Sequence, residues 1–159
     1  MHAILRKLNV SLLSSNDVDQ AYPLVQAMMP DASIEAWRRF AEARLGDPAR
    51  HGSGILIVHN ERQCIVGISA FTLSQDLMHG PILFADQFCA LDIVGQPSVA
   101  RALMRAIERL AEQHGCSAIL TNLRQIEAKG RSGWISDVLY ERGHWMAGLQ
   151  MCKRIAAAG

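Results

Sequence analysis

Nothing in the 159-residue sequence is long and apolar enough to span a bilayer. Uninterrupted apolar runs such as Ile55-Leu56-Ile57-Val58 fall far short of the roughly 20 residues a spanning helix needs. A signal-peptide core is missing too, because Asn9, Ser11 and Ser14 interrupt the apolar stretch after Arg6 and Lys7. The chain is therefore expected to be cytoplasmic. Neither sign of charge is in excess: 16 Lys and Arg against 15 Asp and Glu leave +1. That withholds a general grip on nucleic acid or acidic membranes, though a local basic site remains open. No C-x-x-C occurs among Cys64, Cys89, Cys116 and Cys152, so no zinc site or thioredoxin-like motif is encoded locally. Three of the four lie in apolar runs, where a reduced cysteine acts as a small hydrophobe.

Repeats, low-complexity tracts and long linkers are also absent. What is there is 50% hydrophobic and 19% charged, an ordinary globular composition. At roughly 100–200 residues per domain, residues 1–159 are expected to form one domain. Such a chain can bury about two thirds of its unfolded surface, so it needs no disulfide or metal to fold.

Leu8, Val10 and Leu12 alternate with Lys7, Asn9 and Ser11, which predicts a half-buried strand. Ser14 to Asp17 are helix caps, and a helix is expected up to Met29. Pro23 is tolerated only in a first turn, which puts the regular start near Ala21. Ser33 caps a second helix with Ile34, Trp37, Phe40, Ala41 and Leu45 on one face, stopped by Gly46 and Pro48. A polar loop runs from Asp47 to Ser53. Three strands come next: Gly54 to His59, Gln63 to Ser74 and Ile82 to Leu91. Asn60-Glu61-Arg62 is a turn between the first two, and the Gln75–Pro81 loop separates the last two. Gly67 marks a bulge.

Val99 to Gln113 is the clearest helix, with Val99, Leu103, Ile107, Leu110 and Ala111 as its apolar stripe and Gly115 as its terminal cap. Ala118 to Leu123 is a strand. Strand, helix, strand is a crossover, so those two strands are expected to run parallel. Ser132 to Arg142 is a short helix ended by Gly143, and Trp145 to Ile155 is a last strand. The order is strand, helix, helix, three strands, helix, strand, helix, strand: an α+β fold with one mixed sheet.

This order resembles the GCN5-related N-acetyltransferase family. Two segments carry the likeness: Leu91-Asp92-Ile93-Val94-Gly95-Gln96-Pro97-Ser98-Val99-Ala100-Arg101-Ala102-Leu103-Met104 and Leu139-Tyr140-Glu141-Arg142-Gly143-His144-Trp145. The former is similar to the family's strand–loop–helix that binds acetyl-coenzyme A. The latter resembles its late Phe-Tyr-x-x-x-Gly-Phe segment, one residue shorter. A loop opening into a helix aims unpaired N–H groups at one point, and the helix dipole adds partial positive charge, which together suit a pyrophosphate. The family's pattern of Arg or Gln, two residues, Gly, one residue, then Gly or Ala falls on Gly95, Ser98 and Ala100, and only Ala100 matches. Pro97 removes one N–H donor. Gly95 permits a tight backbone, and the Ser98 hydroxyl either donates in its place or caps the helix.

The resemblance thus implies a cofactor loop formed by Gly95, Gln96, Ser98, Val99, Ala100 and Arg101. It also implies that the backbone of Phe88, Cys89 and Ala90 meets the pantetheine arm; an ordinary buried strand is compatible with this. Arg101 and Arg105 either face a phosphate, or Arg105 pairs with Glu108 while Arg101 points into water. Cys89 reads as core rather than as a nucleophile. In the family, a tyrosine at the place of Tyr140 protonates the departing thiolate, a task that suits a phenol with a pKa near 10; the alternative is that it only packs the last helix. Asp86, within an apolar run, is the candidate base, its pKa raised by burial, or else a structural carboxylate. His79 and His144 are weaker candidates. Asn122 either bonds the cofactor or caps its segment. Trp37 and Phe40 read as core, although in the family the first two helices help form the acceptor pocket.

The activity implied is transfer of acetyl from acetyl-CoA to the amine of a small molecule or peptide, by direct attack in a ternary complex. No nucleic-acid or membrane partner is expected. A catalytically inactive binding module of the same fold is the rival reading. A homodimer formed through open sheet edges is compatible with either.

Overall fold

A computed structural model describes residues 7–92, 96–123, 133–148 and 150–156. Strand β1, Asn9–Leu12, is followed by a 3-10 turn at Ser15–Asp17. The Asp17 carboxylate accepts from the Ser14 N–H (3.0 Å) and hydroxyl (2.7 Å). The turn leads straight into α1, Val18–Met28, so the helix begins three residues before the expected Ala21 and Pro23 lies inside it. Pro23 is exposed, and the hydrogen bond it forfeits would run to the carbonyl of exposed Asp19, where water can substitute. Helix α2, Ile34–Glu42, is capped by Ser33, whose hydroxyl accepts from the Ala36 N–H at 3.1 Å. Its buried Trp37 indole donates to Val18 O at 2.6 Å and ties the two helices together.

The polar loop expected from Asp47 to Ser53 contains a helical turn, α3, Pro48–His51. Asp47 caps it by accepting from the Ala49 N–H at 2.9 Å, and proline takes the first helical position, where its missing N–H costs nothing. Strands β2, Ser53–His59, β3, Ile65–Asp76, and β4, Gly80–Ala90, form the antiparallel meander. The expected Gln75–Pro81 loop shrinks to Leu77-Met78-His79. Helix α4, Ser98–Gln113, crosses to β5, Ala118–Thr121, which pairs parallel with β4. Helix α5 is Gly133–Glu141, and Gly143 comes after it in a left-handed conformation (φ 86°). The sheet order is β1-β2-β3-β4-β5.

Both faces of the sheet are covered. Leu56, Val58, Phe71, Leu83 and Ala85 pack with α4 and α5. Ile55, Ile57, Ile68, Ala70 and Cys89 pack with α1 and α2. This explains why Ile55 to Val58 is an unbroken apolar run: a central strand is buried on both sides. A bulge lies beside Gly67, where the register shifts between Val58 and His59 and leaves Val66 unpaired. Gly67 also has a packing role. A Cβ there would lie 2.6 Å from Val99 Cγ1, so its absence lets the first turn of α4 rest on β3.

The strand expected over Trp145–Ile155 does not form in residues 144–148 and 150–156. Trp145, Met146, Met151 and Ile155 are all exposed. The apolar residues there come in clusters (Trp145-Met146-Ala147, Met151-Cys152) rather than alternating, so nothing in the pattern selects a buried face.

Candidate functional site

β4 and β5 pair from Ile82↔Ala118 to Ala85↔Thr121 and then part. The last bond between them is Asn122 N–H to Ala85 O, 2.8 Å. β4 runs on for Asp86 to Ala90, and among the described residues nothing pairs with it on that side. The strand changes phase at the point of parting. Ala85 and Phe88 both join the α4-side core, so one residue is inserted between them. The ladder to β3 skips at the same place, between Ile68 and Ala70. Gln87 takes the left-handed conformation (φ 50°) that the bulge requires. The hydroxyl of fully buried Ser69 faces the bulge, 3.2 Å from Ala70 O and 3.3 Å from Asp86 O, and can donate to one of them.

Phe88, Cys89 and Ala90 are 8%, 4% and 5% exposed, and their backbone lines the free stretch of β4. Asp86 is half-buried rather than enclosed, because it sits at the edge where the strands part. None of the four cysteines forms a disulfide. Cys89 packs in the α1–α2 core, as expected.

From Ala90 the chain reaches the N-terminus of α4. Gly95 lies outside the described residues; Gln96 is exposed and Ser98 half-buried. The N–H groups of Val99 and Ala100 are already engaged: Asp92 accepts from them at 2.8 and 3.0 Å, and the Ser98 hydroxyl lies 3.4 Å from the same carboxylate. The place expected to attract a pyrophosphate thus holds an anion of the chain itself. The physics is that of any helix N-terminus, but the carboxylate arrives from six residues upstream of the helix. Pro97, in the cap position, has no side-chain acceptor of its own.

Arg101 does not simply point into water; it pairs with Glu141 on α5 at 3.0 Å. Glu108 takes Arg142 as its hydrogen-bonded partner, with Arg105 adding only a weaker electrostatic attraction. Arg142 donates to it from Nε at 2.7 Å and again from its terminal nitrogen. That hydrogen bonding holds the Glu108 carboxyl below the usual carboxylate range.

Tyr140 is 54% exposed on α5, and among the described residues nothing hydrogen-bonds its hydroxyl. His144 folds back, its N–H donating to Leu139 O at 3.0 Å and its Nε2 lying 3.5 Å from Thr121 Oγ1 at the end of β5. Burial pushes the imidazole pKa below its ordinary value, so the ring is neutral at pH 7. His79 is in the β3–β4 turn, eight residues before Gln87 and thus roughly 26 Å away along an extended strand. Asn122 sits half-buried at the mouth of the splay.

On the opposite face from α4, a cavity of about 180 Å³ lies between α1, α2 and the sheet. Trp37 and Phe40, expected to be core, form part of its wall with their rings stacked at 6.1 Å. Gln87 lines it at the bulge, and its side-chain Oε1 is buried with no hydrogen-bond partner. Sequence reasoning does not single out Gln87. Its signal is two consecutive polar residues, Asp86-Gln87, inside an apolar strand that should alternate.

No protein-family model matches the sequence, and a search of curated proteins finds no match. Solved structures do match. An aminoglycoside N-acetyltransferase, AAC(6')-Iy in complex with CoA, superposes with a TM-score of 0.75 at 14% identity, covering 98% of this chain and 99% of that one. A ribosomal-protein-alanine N-acetyltransferase from Brucella melitensis biovar Abortus 2308 gives 0.69 at 15% identity, over 94% and 100%. The glucosamine-6-phosphate N-acetyltransferase of Arabidopsis thaliana gives 0.68 at 13%, over 94% and 99%. The chain therefore has the fold of the GCN5-related N-acetyltransferases.

Proposed function

We propose that the protein is an acetyl-CoA-dependent N-acetyltransferase acting on a small amine, working as a cytoplasmic homodimer. The observation that carries this is the parting of β4 from β5 at Ala85, with a bulge just beyond it and an unpaired backbone edge leading to the N-terminus of α4. An extended pantetheine arm carries amides, and such an edge offers the N–H and C=O groups to pair with them. The backbone from Phe88 to Ala90 would hold the arm. The N–H groups of Val99 and Ala100 fit a phosphate oxygen once Asp92 withdraws.

In the reaction, the amine nitrogen attacks the thioester carbonyl carbon. A C–N bond forms, the C–S bond breaks and the thiolate leaves. The nitrogen gives up a proton, and Asp86 and neutral His144 flank the splay as its acceptors, directly or through water. Tyr140, as a phenol, supplies the proton that the thiolate takes up.

Calorimetric titration with acetyl-CoA tests this reading, alongside Ser98→Glu, which places a second negative charge at the same helix end. Micromolar binding, weakened at least tenfold in the variant, together with thiol release when amines are added, is the expected result. Absence of binding at millimolar acetyl-CoA overturns it. One observation favours the inactive module instead: the Asp92 carboxylate already on the Val99 and Ala100 N–H groups.

A further inference from the structure

The two halves of the proposed donor site differ in what they leave free. Along β4, the edge from Asp86 to Ala90 on the β5 side is unpaired among the described residues. On the β3 side the chain stays engaged, with Leu91 N–H donating to Val66 O at 2.7 Å. An extended arm that carries amides thus meets open N–H and C=O groups along one edge. At the N-terminus of α4 the reverse holds. Ser98 N–H donates to Gln96 O at 2.8 Å, and Arg101 N–H to Pro97 O at 3.0 Å. The Val99 and Ala100 N–H groups donate to the Asp92 carboxylate. Pro97 has no N–H to offer. All four backbone donors from Ser98 to Arg101, which a helix start ordinarily leaves open, are therefore in use. Arg101 brings a cation to this turn, but Glu141 pairs with it.

We infer that the donor is read through its pantetheine arm and not through its diphosphate. The donor class is acyl-pantetheine thioesters, with or without a nucleotide, and Asp92 is the residue that sets it. The inference rests on the acetyltransferase reading and names its donor class. Hydrogen bonds to a carboxylate are roughly twice as strong as neutral ones. A diphosphate gains the Val99 and Ala100 N–H groups only in exchange for the Asp92 bonds. The displaced carboxylate then stays beside it, tethered by the chain and carrying the same sign of charge. A ligand shifts an equilibrium only by the difference between the contacts it makes and those it breaks, and here the two nearly cancel. A thioester on free pantetheine and one on the phosphopantetheine arm of a carrier protein present the same amides to β4. Neither has a diphosphate to bring against Asp92.

Acetyl-CoA, S-acetylpantetheine, an acetylated carrier protein and inorganic pyrophosphate are each titrated calorimetrically into the full chain and into Asp92→Asn. The wild-type protein is expected to bind acetyl-CoA less than tenfold more tightly than S-acetylpantetheine. In Asp92→Asn, whose amide still caps the helix but carries no charge, that ratio is expected to widen about tenfold. Inorganic pyrophosphate at millimolar concentration is expected to bind the variant and not the wild-type protein. Asp92→Ser gives a second neutral variant should the first fail to fold. The carrier protein separates the two sources of the arm. Affinity above that of S-acetylpantetheine supports the class with a protein-borne donor, and equal or lower affinity supports it with a free one.

A wild-type preference of tenfold or more for acetyl-CoA over S-acetylpantetheine overturns the inference and leaves the acetyltransferase reading standing. So does a ratio that stays the same in both neutral variants, or binding of pyrophosphate to the wild-type protein. If no thioester binds at all, the acetyltransferase reading and the inference fall together.

Discussion

Asp92 is the residue on which the donor side turns. Its carboxylate bonds the Val99 and Ala100 N–H groups, the same groups a pyrophosphate would use. An anion at a helix N-terminus is stabilising, and removing a capping side chain costs about 1 kcal/mol. Asp92→Asn should therefore lower the melting temperature slightly and, by removing a competing negative charge, tighten acetyl-CoA binding about tenfold. S-acetylpantetheine lacks the pyrophosphate, so its affinity should not change between the two proteins. Calorimetry with both ligands checks this, and equal affinity of the wild-type protein and the variant for acetyl-CoA would show that Asp92 does not compete. Residues such as Asp92 and Gln87 are hard to read from sequence because their roles are not local. Asp92 caps a helix that starts six residues later, and Gln87 matters only through a register skip against Ser69 on another strand. Gly67 reads as a bulge, yet its closest constraint is Val99, 32 positions away in sequence.

Among the elements, α4 is legible from its stripe alone. Val99, Leu103, Ile107 and Ala111 recur at helical spacing, and all are buried. The 3-10 entry into α1 and the turn α3 depart from expectation because the Ser14–Asp17 and Asp47 contacts start them early, while Pro23 faces solvent and Pro48 takes a first helical position. Helix α5 is held to α4 by Arg142–Glu108 and Arg101–Glu141, and this tie is pH-dependent. Arg142 holds the Glu108 carboxyl below its ordinary range, and burial does the same to His144. Both folded-state values are depressed, so in each case the unfolded chain binds protons more readily. The stability they contribute is present at neutral pH. It begins to fall below about pH 6.5, as unfolded-state His144 would protonate, and falls further below about pH 4.3, where the same holds for Glu108. Melting curves from pH 7 to 4 should show this decline. Glu108→Gln should lower the pH 7 value by under about 1 kcal/mol, as befits a partly exposed pair, and flatten the acid limb. An unchanged slope below pH 5 in that variant would remove Glu108 from the account.

At the scale of the whole molecule, the two outer strands of the sheet, β1 and β5, have unpaired edges among the described residues. The segment after α5 is apolar yet uncovered: Trp145 is 73% exposed, Met146 73%, Met151 94% and Ile155 82%. Four large apolar side chains so close together in sequence are more than the scattered exposure usual on a monomer, and they lie near a free edge, since His144 touches Thr121 at the end of β5. Covering them with a second copy buries apolar area on both partners. The protein is therefore expected to sediment at twice the monomer mass at micromolar concentration. A chain ending at Gly143 is expected to sediment as a monomer. The hairpin tip, with Leu77 and Met78 also exposed, offers a rival surface at the other end of β4. A dimer that survives the truncation and is broken by Leu77→Ser with Met78→Ser would transfer the contact there. A full-length chain that stays monomeric at all concentrations would leave both apolar patches without a self-association role.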